Sequence, residues 1–397
     1  MLIYQLVITA IVVAIFTVAV VNLLTLRRFR DFQPRAGEAR PLVSILVPAR
    51  NEARNIERCV RSLLAQDYPN FELIVLDDLS EDQTGAIVEQ IAAKAQPQAG
   101  SPQGSGGTEK LRLLRGGPLL AGWLGKNNAC RQLGAAARGE YLLFTDADTY
   151  HAPGSLTSAM AAAVQQRADL LSIFPRQEVV SFGERLVLPL LHFTVFAFLP
   201  MPAVYSQRLR YGSLGVGNGQ FLLFRRLAYE AIGGHAAVKG RILEDVLFGR
   251  LIKSKGYRLF MPDGTDAVSC RMYRSTTETV RGLGKTMYAF FNYSLPFALF
   301  VLNLHFDLFV APWGFLAWGL LHPTYDALAW IVLPAVQIAL MLAVRFAFSR
   351  RFRSPLLDAL LLPLSFLGYI GISLYAVWLR YAKGGVSWKG RNYSRPD

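Results

Sequence analysis

Two aspartates two positions apart, Asp146 and Asp148, end an apolar run in the stretch EYLLFTDADTYHAPGS. Side chains at i and i+2 of a strand point the same way, so both carboxylates can converge on one ligand. Clustered carboxylates repel unless a cation holds them. A hard divalent ion, Mg²⁺ or Mn²⁺, suits such a pair and binds through one or two carboxylates plus substrate phosphates. D-x-D also occurs by chance as a solvated turn. The switch from apolar to acidic at the strand end favours the cation. His151 is either a third ligand or a polar loop residue before Ala152 and Pro153.

Three further stretches carry chemistry. VPARNEARNIERCV (47–60) reads as a strand, a turn and a helix start, which sets backbone N–H groups over a ligand crevice. Neither GxGxxG nor GxxxxGK[ST] occurs, which removes support for dinucleotide and P-loop sites. LDDLSEDQT (76–84) puts Asp77 and Asp78 at a second strand end, where one carboxylate could accept hydrogen bonds from a base or ribose. Ser80 or Asp82 then caps the next helix. In GRILEDVLFGRLIKSKGYRL (240–259), Glu244 and Asp245 open an amphipathic helix. Acidic residues there suit the helix dipole. One of them could instead serve as a general base toward a hydroxyl nucleophile. LGVGNGQFLLF (214–224) brings Gly217, Asn218 and Gly219 up to a strand, as a close backbone contact to a diphosphate or acceptor or only as a turn.

The elements that must position these residues lie between residues 40 and 285. Short β-rich runs (42–49, 71–78, 111–114, 140–148, 169–175 and 220–226) alternate with helical patterns such as 55–66 and 83–95. That alternation predicts an α/β domain with a mostly parallel sheet and ligands at the carboxyl ends of its strands. QPQAGSPQGSGG (96–107) reads as an inserted flexible loop.

The flanks are of another kind. Of 397 residues 52% are apolar, a mixed character for a chain of mean hydropathy +0.29. Residues 1–26 carry no charge and exceed the ~20 apolar residues that span a bilayer. Basic residues follow rather than precede this run, which predicts a retained anchor with its C-terminal end in the cytosol. Residues 286–379 predict three further segments, near 295–321, 326–347 and 356–379. Two basic stretches, 349–354 and the tail 380–397, share one side only if the last segment is re-entrant or in-plane, loosened by Pro363, Gly368 and Gly371. Segment 186–205 carries three prolines and a histidine, and reads as an interfacial or a buried core helix rather than a span. The net charge of +14 clusters beside apolar segments, as at Arg27, Arg28, Arg30, Arg350, Arg351 and Arg353. Such placement fits anionic lipid and the cytosolic face of a cell membrane, not nucleic acid. Cys59, Cys130 and Cys270 are odd in number and far apart, and read as reduced thiols.

Taken in order, VPARNEA, LDDLSEDQT, FTDADT and LEDVLFGRLIKSKGYRL resemble family 2 glycosyltransferases with the Rossmann-like GT-A fold, over roughly residues 40–290. GWLGKNNAC (122–130), MYRS (272–275) and WKGRNY (388–393) resemble the membrane-bound subgroup that glycosylates carotenoid acids, hopanoid-associated lipids and ceramide. The resemblance implies a nucleotide-sugar donor, a lipid acceptor and inversion at the anomeric carbon. It implies that Pro48, Ala49, Arg50 and Glu52 line the nucleotide pocket, with Asp77 or Asp78 on the base. Lys126 and Asn127 would position the nucleotide-sugar, Asp146 and Asp148 the metal, and Asp245 would be the base with Glu244 beside it. Processive members carry Q-x-x-R-W after the base; this chain has none. Arg274, or Trp388 and Arg391 of the tail, could supply the missing diphosphate contacts, or the tail could be an interfacial anchor. Transfer of one sugar to a lipid is the first reading. A polysaccharide synthase extruding its product is the second, and a non-catalytic scaffold or transporter using Asp307 the third.

Overall fold

In the computed structural model, residues 1–95, 110–323, 325–383, 385–388 and 391–394 are described; the inserted loop 96–107 lies outside them. The chain opens with helix α1 (Leu2–Thr25) and then alternates. Strand β1 (Val43–Ala49) leads to α2 (Ile56–Leu64), β2 (Phe71–Asp77) to α3 (Thr84–Ala95), and β3 (Leu111–Arg115) to α4 (Gly125–Ala136). There follow β4 (Tyr141–Phe144), β5 (Thr149–His151), α5 (Ser155–Gln166), β6 (Leu170–Ser172) and β7 (Arg176–Gln177). Next come α6 (Phe182–Phe198), α7 (Met201–Tyr205), β8 (Leu222–Arg225), α8 (Arg226–Ala231) and α9 (Glu244–Ser254). Strands β9 (Leu259–Phe260) and β10 (Val268–Cys270) precede α10 (Thr276–Phe290), α11 (Leu295–Phe309), α12 (Ala311–Leu321), α13 (Leu333–Arg351) and α14 (Leu362–Lys383). A hairpin of β11 (Gly385–Trp388) and β12 (Arg391–Ser394) ends the described chain.

The main sheet has seven strands in the order β3-β2-β1-β4-β8-β6-β9. Strands β1 to β4 are parallel, while β8 runs against both of its neighbours. The sheet is therefore mixed, with one reversed strand in an otherwise parallel array. That reversal matters for function. Ala49 pairs with Asp77 and Leu46 lies beside Phe144, so β1, β2 and β4 end at one edge. Phe144 pairs with Leu222 at the start of β8, so the loop before β8 arrives at that same edge. A small second sheet, β5-β10-β7, continues directly from the D-x-D turn.

Successive strand residues face opposite sides and feed two cores. Val43, Ile45 and Val47 join one with α2 and α5. Leu46, Leu142 and Phe144 join the other, which runs without a break into α1, α6, α10, α13 and α14. The sheet thus sits on the apolar helices rather than hanging from a linker. Arg351 reinforces this join, with Nε 2.7 Å from Asp263 and a donated bond to the Leu26 carbonyl. Arg30 and Arg353 both pair with Asp266. These arginines, expected at lipid headgroups, are committed to carboxylates of the α/β domain.

Three helical stretches are long and apolar enough to cross a membrane: Leu2–Thr25, Leu328–Arg351 and Leu356–Ala382. Helices α10 and α11 would form a fourth only as a pair bent by 112°. The last segment, expected to be loosened at Pro363, Gly368 and Gly371, forms one continuous helix. Pro363 falls in the first turn of α14, where no backbone N–H is needed, and the helix, 22 residues in all, runs on through Gly368 and Gly371. Helix α6 packs among α1, α10 and α14, with Val187, Leu190, Phe193 and Phe196 buried. Asn22 of α1 seals its end, donating to the Phe196 and Leu199 carbonyls at 2.7 and 2.9 Å and accepting from Met201 N–H. The 186–205 segment is therefore two helices parted at Pro200 and fixed to the anchor.

Candidate active site

The sheet edge described above gathers carboxylates around one lysine. Lys126, in the first turn of α4, places Nζ 2.7 Å from Asp146 Oδ1 and 2.9 Å from Glu244 Oε1. Asp245 Oδ2 accepts the Gly219 N–H at 2.8 Å, and its Oδ1 accepts the Val246 N–H at 2.8 Å. Gly219 stands at the centre. A Cβ there would lie 3.2 Å from Lys126 Nζ, 3.4 Å from Asp245 Oδ2 and 3.7 Å from Asp146 Oδ2. Pro48, Lys126, Asp146, Gly219 and Glu244 line one cleft.

The electrostatics follow from this crowding. Burial alone would lower the Lys126 ammonium, but Asp146 and Glu244 outweigh it and hold it well above the usual lysine range. Burial pushes Glu244 up to about 7, against the pull of Lys126. Burial also raises Asp245, opposed by Lys126 and by the two backbone N–H groups. Asp148 is driven up to about 7, first by burial and then by Asp146 and Glu52.

Asp148 bears on the expected cation. Its Oδ1 is buried and has no hydrogen-bond partner, while the nearby Cys270 thiol favours the charged carboxylate. An orphaned carboxylate oxygen beside a second carboxylate is costly alone and suited to a divalent ion. Asp146 and Asp148 therefore fit Mg²⁺ or Mn²⁺. Among the described residues no cluster of three or more His, Cys, Asp or Glu side chains forms a complete metal cage. Other ligands would come from substrate oxygens, as is usual for Mg²⁺. His151 faces away: it is 1% exposed, and its Nε2 meets the Thr145 and Thr149 hydroxyls at 3.1 Å.

At the β1 and β2 ends, two loops are laced together. Arg50 donates to the carbonyls of Asp78 and Leu79 at 2.7 and 2.6 Å and pairs with Glu81. Asn51 and Leu79 adopt φ of 52° and 56°, a left-handed backbone that non-glycine residues rarely take outside functional turns. Asn51 N–H donates to Ser80 Oγ, and Asn51 Oδ1 accepts from Glu81 N–H. The Asp78 N–H donates to the Ala49 carbonyl at 2.8 Å, and Glu52 N–H to Thr84 Oγ1 at 2.7 Å. Asp77 is held by Arg115 and by the Ser80 N–H.

Several expected contacts point elsewhere. Asn127 is 1% exposed and donates its amide to the carbonyls of Val238, Lys239 and Arg241, so it braces a loop. Gly217 packs against the Asp245 carbonyl, where any Cβ would collide. Asn218 is consumed internally: its Oδ1 accepts from Gln220 N–H and its Nδ2 meets His192 Nε2 at 3.1 Å. Arg274 donates to Asn55 Oδ1 at 2.8 Å, on the loop after β1. Trp388 and Arg391 pair across the terminal hairpin, and their side chains lie outside the description. Sequence reasoning missed His192, whose signal was only a histidine inside an apolar helix. It also missed Cys270, which an i-to-j strand register places beside the D-x-D turn.

Residues 44–233 match the Glycosyl transferase family 2 domain. The chain is 26% identical over 253 residues to a 4,4'-diaponeurosporenoate glycosyltransferase of Staphylococcus haemolyticus, covering 62% of this chain and 60% of the relative. It is 28% identical over 214 residues to a beta-monoglucosyldiacylglycerol synthase of Trichormus variabilis, covering 52% and 40%. The matched part thus spans about half the length of these relatives. Among solved structures, a mannosyltransferase from Pyrobaculum calidifontis in complex with GDP-Man and Mn²⁺ superimposes with a TM-score of 0.50 at 18% identity, covering 96% of this chain and 99% of that one. That likeness establishes the fold, a GT-A-like mixed α/β sheet with long apolar helices at both ends.

Proposed function

Its 44–233 domain makes this chain a family 2 glycosyltransferase, and we propose that it moves one sugar from a nucleotide-sugar to a membrane lipid with inversion. The observation that carries the reading is the meeting of Asp146, Lys126, Glu244 and Asp245 around Gly219. The laced loops after β1 and β2 would take the nucleotide, with Asp78 toward the base, since Asp77 is tied to Arg115. Asp146 and Asp148 would hold Mg²⁺ or Mn²⁺, which when bound supplies positive charge to the diphosphate. Lys126 adds a second cation beside the departing diphosphate.

Asp245 would take the proton of the acceptor hydroxyl. The freed oxygen pair attacks the anomeric carbon from the face opposite the diphosphate. The bond to the diphosphate oxygen breaks in the same displacement, and the nucleoside diphosphate leaves. An α-linked donor, with UDP-hexose as the family's usual choice, then gives a β-glycoside. Glu244 is engaged by Lys126, which leaves Asp245 as the base.

Two features support a lipid acceptor and a single transfer. The core of the sheet runs into the apolar helices, which supports a cleft set near a membrane surface, and the reading puts that surface on the cytosolic side. Polar side chains of those helices serve helix contacts rather than a channel: Tyr4 donates to Asp307 at 3.0 Å, and Gln337 donates to Gln5 and Thr9. The reading is tested by incubating membranes that hold the full chain with labelled UDP-glucose and other donors plus Mn²⁺ or Mg²⁺. Label in a single extractable glycolipid is expected. Label in a water-soluble polymer, or none in any product, would overturn it.

A further inference from the structure

The membrane helices contain a charge that the protein does not balance. Arg345, on α13, is fully buried at 0% exposure. Its Nε and both terminal nitrogens make no hydrogen bond among the described residues. The guanidinium lies beside two rings that meet edge to face, 5.5 Å from the Phe193 centroid and 5.3 Å from that of Phe348. Ring faces attract a cation but return far less than its lost hydration. The carboxylate whose attraction reaches Arg345 is Asp358. Both oxygens of Asp358 are already taken by Arg185, at 3.0 Å from Nε and 2.5 Å from a terminal nitrogen. Two arginines share one carboxylate, so one buried positive charge is left over.

The surroundings say what would answer it. Ser349, one turn along α13, has a buried Oγ without a partner, as do Ser365 of α14 and Nδ1 of His305 on α11. The Phe193 ring meets those of Phe348, Phe309 and Phe366, and His305 meets the last two. His305 packs on this aromatic cluster of α6, α11, α13 and α14, and Ser349 and Ser365 adjoin its Phe348 and Phe366 in sequence. Buried polar groups are nearly always satisfied, so a cluster of unsatisfied donors calls for an acceptor. A positive, donor-rich spot walled by phenylalanine and set in an apolar span of 24 residues suits an anion on an apolar tail.

We propose that Arg345 holds the anionic headgroup, a phosphate or carboxylate, of a membrane lipid, with Ser349 donating to the same oxygens. The site shares α6 with the catalytic glycine loop, through consecutive residues about 100° apart around the helix. His192, adjacent to Phe193, meets Asn218, and Gly219 follows. A lipid bound there steadies α6 beneath that loop. The inference needs no turnover and stands or falls apart from the transferase reading.

The test uses the full chain purified in neutral detergent with its lipids removed, and follows the thermal unfolding midpoint. Dioleoyl phosphatidic acid is expected to raise the wild-type midpoint by several degrees, while phosphatidylcholine and inorganic phosphate leave it unchanged. Arg345→Met should abolish the response and, without lipid, melt at or above the wild type, because a buried charge has been replaced by packing. Arg345→Lys, which keeps the charge, should keep part of the response. Equal stabilisation of wild type and both variants overturns the site. An equal effect of phosphatidylcholine, or of inorganic phosphate alone, overturns the lipid anion as its occupant. A lipid-free Arg345→Met midpoint far below the wild type would mean that Asp358 balances Arg345 internally, and also overturns it.

Discussion

The backbone N–H of Gly219 is aimed at Oδ2 of Asp245, 2.8 Å away, across the cleft edge. The bond joins the loop before the one reversed strand to the first turn of α9. It fixes the orientation of a carboxylate whose other oxygen is fixed by its own helix N-terminus. Asp245→Asn keeps the size and one acceptor oxygen but removes the basicity. Sugar transfer should fall by about 10²–10⁴-fold, the usual worth of general base catalysis. Binding of the nucleoside diphosphate, measured calorimetrically, should change little. Transfer within threefold of wild type would remove Asp245 from the role of base.

Lys126 answers two carboxylates at once, Asp146 at 2.7 Å and Glu244 at 2.9 Å. Lys126→Met leaves both facing each other around Gly219. Truncating one partner of a buried pair costs about 3–5 kcal/mol, and this cleft is open enough for the low end. The variant should unfold earlier and lose about 10²-fold in kcat/KM, through a lost cation at the diphosphate. Added Mn²⁺ should recover part of its midpoint, since a divalent ion can replace the missing charge. No recovery would argue that Lys126 does not share the carboxylates with a metal.

Gly249 and Gly215 let α9 lie directly on the loop that carries Gly219. A Cβ on Gly249 would fall inside the backbone of Val216, and one on Gly215 inside that of Gly249. Backbone cannot yield as a flexible side chain does, so Gly249→Ala should destabilise by about 1–3 kcal/mol or more. Because α9 bears Asp245, kcat should drop more than donor KM rises. A variant of wild-type stability and kcat would show that this packing does not set the base.

Much of the cleft was legible because its signals are local. An apolar run turning acidic announced Asp146 and Asp148, and the helix pattern after Glu244 and Asp245 placed them at an N-terminus. What stayed hidden depends on pairs far apart in the chain. Nothing near Lys126 tells that Glu244, 118 positions on, shares its ammonium. Asn127 resembles a ligand residue until its three carbonyl partners around 238–241 are seen. Arg351 and Arg353 read as lipid-facing because their partners, Asp263 and Asp266, lie in a loop with no periodic pattern. Pro363 read as loosening the last segment, and becomes harmless once it falls in a first turn.

The Cys270 thiol lies near Asp148, the carboxylate with an orphaned buried oxygen, and favours its charged form. Asp148→Asn should remove most Mn²⁺ binding, read directly by the fall in free-ion electron paramagnetic resonance signal on titration. Cys270→Ser keeps a donor and should keep the affinity within a few fold. Cys270→Ala should weaken it by roughly tenfold, in line with other outer hydrogen bonds to metal ligands. Equal affinity in all three variants would move the metal away from Asp148.

His151 ties protonation to stability. Burial pushes its imidazole from the ordinary value near 6.5 down to about 3. The folded state therefore takes up no proton on it at mildly acidic pH, while the unfolded state does. Its contribution is fully present above pH ~6.5 and is lost as pH falls toward 3, by about 1.4 kcal/mol for each pH unit in between. His151→Gln can still bond the Thr145 and Thr149 hydroxyls and cannot titrate. The variant should be less stable than wild type at pH 7.5, and the gap should narrow by about 2 kcal/mol at pH 5. Other groups titrate alike in both proteins and cancel in that difference. A gap that stays constant between the two pH values, in denaturation followed by tryptophan fluorescence, would show that His151 is protonated in the folded chain.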